Sequence, residues 1–107
     1  MINRGGEKIS AEEVENLVYQ LPQVTHVAAV AMPDPEVGER VCIYAVLASR
    51  AVLTLDDVRS AMRAAGVARF KWPERLVIVA ELPATKVGKI DKKALRADIA
   101  ARLQAIR

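Results

Sequence analysis

The residues best equipped for chemistry lie in "ELPATKVGKIDKKAL", residues 81–95, where Lys89 directly follows Gly88. A lysine ammonium is a compact, strongly hydrated cation, protonated at neutral pH because its ordinary pKa is about 10.4. Pro83 stiffens the approach and Gly88 loosens the tip, so the segment can carry that charge onto a surface belonging to another body. The chemistry it suits is the holding of an anionic substrate. On the isolated tripeptide a solvated lysine beside a turn is the plainer reading. A second group is "NRGGEKIS", residues 3–10. Gly5 and Gly6 tolerate positive φ and let another backbone or a narrow ligand pass close by, although an ordinary hairpin turn would look the same.

Other reactive residue types are isolated. His26 falls inside an apolar strand pattern with no second His or Cys at ligand spacing, and reads as a core or edge residue. Cys42 reads as a small buried hydrophobe. Trp72, in "RFKWPERL", packs the approach to a strand rather than stacking on a base. No metal motif, nucleophile triad, phosphate loop or dinucleotide fingerprint is present.

The elements that must position these residues follow from local pattern. "INRGGEKI" reads as a short hairpin about Gly5-Gly6. Ser10, with Glu13 three residues on, makes a capping box for a helix that buries Val14, Leu17, Val18 and Leu21 and stops at Pro22. Residues 24–32 and 40–48 are apolar, β-branched strands separated by the breaker-rich loop "PDPEVGE". Thr54 and Asp57 open a second helix with Val58, Met62 and Ala65 inward and Gly66 at its end. Residues 75–82 form a third strand, and Asp91 caps a last helix that buries Leu95, Ile99 and Leu103. The expected fold is α+β: an N-terminal β-hairpin and a small three-stranded sheet packed with three helices.

Composition bounds the partners. The chain has 107 residues, enough for one domain with its own core, and its 52% apolar and 27% charged content is that of a globular protein. With only 4% aromatic residues, the core is aliphatic. No apolar run reaches the roughly 20 residues of a membrane span, and no signal-peptide pattern opens the sequence. The single cysteine agrees with a reducing cytoplasm. The net charge of +3 is concentrated: residues 85–107 hold seven Lys or Arg against two Asp. That excess implies an anionic partner, but nucleic acid is disfavoured because aromatics are not interleaved with the basic residues.

Four stretches, "INRGGEKISAEEVE", "MPDPEVGERVCIYAVL", "FKWPERLVIVAELP" and "PATKVGKIDKKAL", run in that order over nearly the whole chain. Together they resemble the C-terminal domain of the acyl-adenylate-forming (AMP-dependent synthetase/ligase) superfamily: acyl-CoA synthetases, luciferases and peptide-synthetase adenylation domains. The most specific part is P-x-T-x-x-G-K-I-x-x-x-x-L, seconded by "GGEKI". Within the superfamily the chain is most similar to the aryl-acid ligases that activate 2,3-dihydroxybenzoate or salicylate for siderophores.

The resemblance implies a reaction in two halves. A carboxylate attacks the α-phosphate of ATP, with Mg2+, and a phosphopantetheine thiol on coenzyme A or a carrier protein then takes the acyl group from acyl-AMP. The implied domain is a lid that presents a different face for each half. Lys89 corresponds to the adenylation lysine, and Gly5, Gly6, Glu7 and Lys8 to the loop lining the pantetheine tunnel. Arg4 and Arg40 flank that face as contacts for an acidic carrier protein. ATP and Mg2+ would be held mainly by a large N-terminal domain, which the sequence lacks, so a single lid domain inactive alone is expected over residues 1–107. The alternatives are the lid of an acyl-CoA synthetase and a non-catalytic carrier-docking module.

Overall fold

The alternation of inward-facing residues along one strand organises the molecule. In the computed structural model, which describes residues 1–105, β4 (Gly38–Leu47) turns Val41, Ile43 and Ala45 to one face of the sheet and Cys42 and Tyr44 to the other. All five are buried. A strand covered on both faces must be apolar at every position, and this one is over residues 41–46.

The chain begins with β1 (Ile2–Arg4) and β2 (Glu7–Ile9), paired antiparallel from Ile2↔Ile9 to Arg4↔Glu7. Helix α1 (Ala11–Tyr19) follows, then β3 (Val24–Asp34), which pairs antiparallel with β4 along nearly its whole length. After α2 (Leu55–Ala64) and a 3-10 turn (Arg69–Lys71), β5 (Arg75–Ile78) lies parallel to β4, and α3 (Lys92–Ala105) closes the described chain. The α+β class stands, and the hairpin is sewn onto the three central strands through Arg4↔Gly38, so the sheet counts five strands. On one face Val14, Val18, Val58, Met62 and Trp72 pack against Val41, Ile43 and Ala45. On the other, Leu95 and Ile99 of α3 cover Cys42, Tyr44, Ala28 and Val30.

Several boundaries move from the sequence expectation. Pro33 and Asp34 belong to β3 and Gly38-Glu39 to β4, leaving a tight turn in which Asp34 Oδ2 accepts from the Glu36 and Val37 N–H groups, both at 2.9 Å. Proline is tolerated there because β3 is an edge strand. Strand β5 stops at Ile78 rather than residue 82: Val79 N–H still donates to Ala45 C=O at 3.0 Å, after which the chain leaves β4.

The α2 capping box forms in both directions, whereas at α1 only Glu13 N–H to Ser10 Oγ (3.3 Å) is made. The Glu13 carboxylate instead accepts from Lys71 at 3.2 Å, since a long-range cation competes with the local backbone donor. Ala65 is exposed rather than inward, because it is the C-cap residue and the helix ends before Gly66 at φ 72°. Asp91 caps α3 as expected, its Oδ1 accepting from Ala94 N–H at 3.1 Å.

Two side chains lash helices to the sheet. Tyr44 donates its hydroxyl to Asp98 of α3, and Arg102 Nε holds the same carboxylate at 2.7 Å. Glu15 of α1 accepts from the Ala29 N–H on the edge strand and from Lys92 Nζ, both at 2.8 Å.

Candidate functional site

Lys89 sits near the tip of a small closed loop. Ala84 bridges Ile90, Thr85 N–H donates to Lys89 C=O at 2.7 Å, Gly88 N–H to Thr85 C=O at 2.9 Å, and Asp91 N–H to Pro83 C=O at 2.8 Å. Thr85 Oγ1 also accepts from Lys89 N–H at 3.3 Å. Gly88 has φ 84°, which a glycine adopts without strain. The segment is therefore a miniature hairpin, not a slack loop, and every residue from Ala84 to Ile90 is exposed. The Lys89 ammonium has no hydrogen-bond or ion-pair partner among the described residues. Sequence reasoning quoted Thr85 within the motif but missed that it closes the turn. The signal was its place four residues before Lys89.

Gly5 and Gly6 form the two-residue turn between β1 and β2, with φ 58° and 91°. Positive φ at both central positions is what a hairpin turn of this twist requires. The turn is fastened at both glycines: Gly5 N–H donates to Val37 C=O at 2.7 Å and Gly6 N–H to Asn3 Oδ1 at 3.0 Å. A Cβ at Gly6 would meet nothing within 4 Å, so the outer surface of the turn is open. Glu7 and Lys8 are exposed on β2.

Arg4 and Arg40 are brought together by an acid that sequence reasoning missed. Arg4 Nε lies 3.2 Å and Arg40 Nη1 2.7 Å from opposite oxygens of Glu74, and Arg40 Nε reaches Asp34 Oδ1 at 2.8 Å. The Arg40 bond, helped by the Val37 and Glu36 N–H groups, holds the Asp34 carboxyl below its ordinary pKa. Only Glu74's position after Trp72-Pro73 was visible in the sequence, and nothing local marked it as an anchor.

The two motifs stand at opposite ends of the β3–β4 ribbon. The glycine turn is tied to Val37 and Gly38 beside the ribbon's turn. The lysine hairpin borders a cleft of about 350 Å³ at the other end, lined by Thr25, His26, Val46, Leu82, Gly88 and Ile90. At about 3.3 Å per residue, Gly38 and Val46 on β4 are roughly 25 Å apart. His26 is exposed on the edge strand, 3.3 Å from Thr25 Oγ1. Cys42 is buried beneath α3, and burial pushes its thiol up to about 12, so it is no nucleophile at neutral pH. Trp72 is buried against the first core, its indole N–H on Val67 C=O at 2.9 Å. Among the described residues, no three His, Cys, Asp or Glu side chains gather to hold a metal, and no helix is long and apolar enough to cross a membrane.

This fold is that of the C-terminal domain of AMP-binding enzymes. The apo structure of MbtA from Mycobacterium smegmatis superposes with a TM-score of 0.85 at 40% identity, over 90% of this chain and 18% of that one. An acyl-CoA synthetase from Brucella canis does so with 0.85 at 28% identity, over 95% and 19%. The chain belongs to the AMP-binding enzyme C-terminal domain family, whose profile matches residues 13–89, from α1 to Lys89. Among curated relatives, a Streptomyces salicylyl-CoA synthase / salicylate adenylyltransferase is 64% identical over 96 residues, 90% of this chain and 17% of that protein. Enterobactin synthase component E of Escherichia coli K12 is 48% identical over 104 residues, 97% of this chain and 19% of that protein. The chain thus spans under a fifth of the length of these two curated relatives.

Proposed function

We propose that this chain is the mobile C-terminal domain of a ligase that activates a carboxylic acid of the aryl class with ATP and passes it from acyl-AMP to a phosphopantetheine thiol, on a carrier protein or coenzyme A, in siderophore-type biosynthesis. The observation that carries the reading is the placement of two motif loops at opposite ends of one ribbon. They are too far apart to enter one site together, so each half-reaction would use its own end after a rotation of the whole domain. The salicylate and enterobactin relatives support the aryl substrate class.

In this reading Lys89 serves adenylation. Its ammonium is unengaged by neighbouring side chains, and the bonded hairpin beneath it fixes where the charge enters. Placed between the substrate carboxylate and the nucleotide's phosphate oxygens, it offsets the repulsion of two anions and stabilises the charge that shifts during phosphoryl transfer. ATP and Mg2+ would be held mainly by a large N-terminal domain. This chain's residues fit the anionic end of that assembly through Lys89, and among the described residues no carboxylate cluster is offered to the metal. The Gly5-Gly6-Glu7-Lys8 turn serves the second half, since a surface without side chains lets a pantetheine arm pass. Arg4 and Arg40, a quarter exposed and turned to the same end, would meet an acidic carrier protein.

The test is ATP–pyrophosphate exchange with an aryl-acid panel in the full-length parent enzyme, with and without Lys89→Ala. Collapse of exchange, with thioester formation from supplied acyl-adenylate preserved, is expected. Unchanged exchange would remove Lys89 from the chemistry and leave a docking module.

A further inference from the structure

Trp72 is surrounded by three guanidinium groups. The central carbons of Arg59, Arg63 and Arg69 lie 5.6, 5.5 and 5.5 Å from the centroid of its ring. Arg59 and Arg63 stand one turn apart on α2, and Arg69 opens the 3-10 turn that leads to Trp72. Arg63 and Arg69 are exposed and Arg59 is half-buried. Arg4, Arg40 and Arg102 are each held by a carboxylate. Among the described residues, the three arginines at Trp72 have no such partner.

A guanidinium attracted to an indole ring keeps its charge and its N–H donors available to an anion. The tryptophan therefore gathers the three groups within cation–π distance without neutralising them. Like charges gathered in this way repel, and the repulsion is relieved by recruiting an anion. We propose that the Arg59–Arg63–Arg69 cluster docks an acidic helix of a partner protein, one bearing carboxylates on successive turns. Arg59 and Arg63 are spaced about 6 Å along α2, the rise that separates residues one turn apart on a second helix. A carboxylate engages the guanidinium fork through two parallel hydrogen bonds. A partner whose carboxylates are confined to the Arg59–Arg63 turn avoids Asp56 and Asp57 in the first turn of the same helix, whereas a continuous polyanion running along the whole helix would meet them. The surface does not include Lys89, Arg4 or Arg40, and the inference does not rest on the ligase reading.

The experiment titrates the full chain with a capped alanine-based helical peptide carrying glutamates one turn apart, and with the same peptide carrying glutamine. Fluorescence of Trp72, the single tryptophan, reports binding. The glutamate peptide should bind, the glutamine peptide should not, and added salt should weaken the complex. Arg59→Gln with Arg63→Gln should weaken it about fivefold or more, while the double lysine variant, which keeps the charge but lacks the fork, should recover only part of the affinity. Circular dichroism confirms that each variant is folded. Three results overturn the proposal: no binding of the glutamate peptide at low salt, equal binding by the double-glutamine variant, or displacement of the peptide by an equimolar thymidine oligonucleotide.

Discussion

The glycine turn and the lysine hairpin are both short reversals between paired segments, yet they are held in contrary ways. The turn at Gly5-Gly6 is fastened outward, to Val37 of another hairpin, and the nearby arginines are spent on Glu74 and Asp34. The hairpin at Lys89 is fastened to itself, through Thr85 and the Ala84–Ile90 bridge, and its ammonium is left unspent. The first region offers a fixed shape with its charge largely neutralised. The second offers a charge on a self-contained stalk. On the proposed reading, the former suits a surface that guides a passing chain, and the latter suits a group that enters a foreign site.

The comparison breaks most visibly if substitutions at the two ends fail to separate by reaction. In the full-length parent, Lys89→Ala should lower adenylation about a hundredfold or more, the usual loss when one fixed contact to developing charge is removed. Gly6→Ala should leave adenylation nearly intact and slow thioester formation. Equal losses in both half-reactions from either change would erase the distinction. Gly6→Ala should also destabilise the fold by about 1–2 kcal/mol, since a Cβ at φ 91° has room but the wrong backbone. Urea denaturation measures this, and Lys89→Ala is the matched control with no expected shift.

A smaller effect sharpens the contrast. Glu74→Gln should cost up to about 1 kcal/mol, because partly exposed ion pairs contribute little. It should make the Arg4 and Arg40 side chains more mobile, visible as narrower guanidinium NMR signals, while the backbone amide signals of the Lys89 hairpin stay as they were.

The smallest effect is in acid. Arg40 and neighbouring N–H groups hold the Asp34 carboxyl below its ordinary pKa, and Tyr44 with Arg102 does the same for Asp98. A depressed carboxyl stabilises the fold fully above the usual carboxylate range, and that contribution fades as pH falls through the folded value. Urea midpoints should therefore drop below about pH 4. Asp34→Asn should flatten that drop in proportion to one proton, and an unchanged acid limb in the variant would discount the bond.

What could be read in advance follows from the range of the interactions. Residues 24–32 and 41–46 announce strands because they are buried on one or both faces, and Thr54 with Asp57 announces a helix start because the capping box is local. The parallel pairing of β5 with β4, the single Arg4↔Gly38 join and the Tyr44–Asp98 bond link residues far apart in sequence, and no local pattern encodes them. At the candidate site, Lys89 and the two glycines were legible through motif and turn chemistry. Glu74 was not, because an acid after a proline looks like any surface acid until Arg4 and Arg40 converge on it. Glu13 misled for the opposite reason: its spacing from Ser10 suits a cap, but Lys71 lay within reach.

The Glu15 contact to the edge strand has a consequence for the molecule in a crowd. An uncovered strand edge is a template on which another chain can add a strand and begin a growing aggregate. On β3 the outward N–H of Ala29 is already taken by the Glu15 carboxylate, with Lys92 alongside. Four residues on, along the same side of the ribbon, Pro33 has no N–H to offer. The longest open edge of the sheet is thereby kept from becoming a permanent contact.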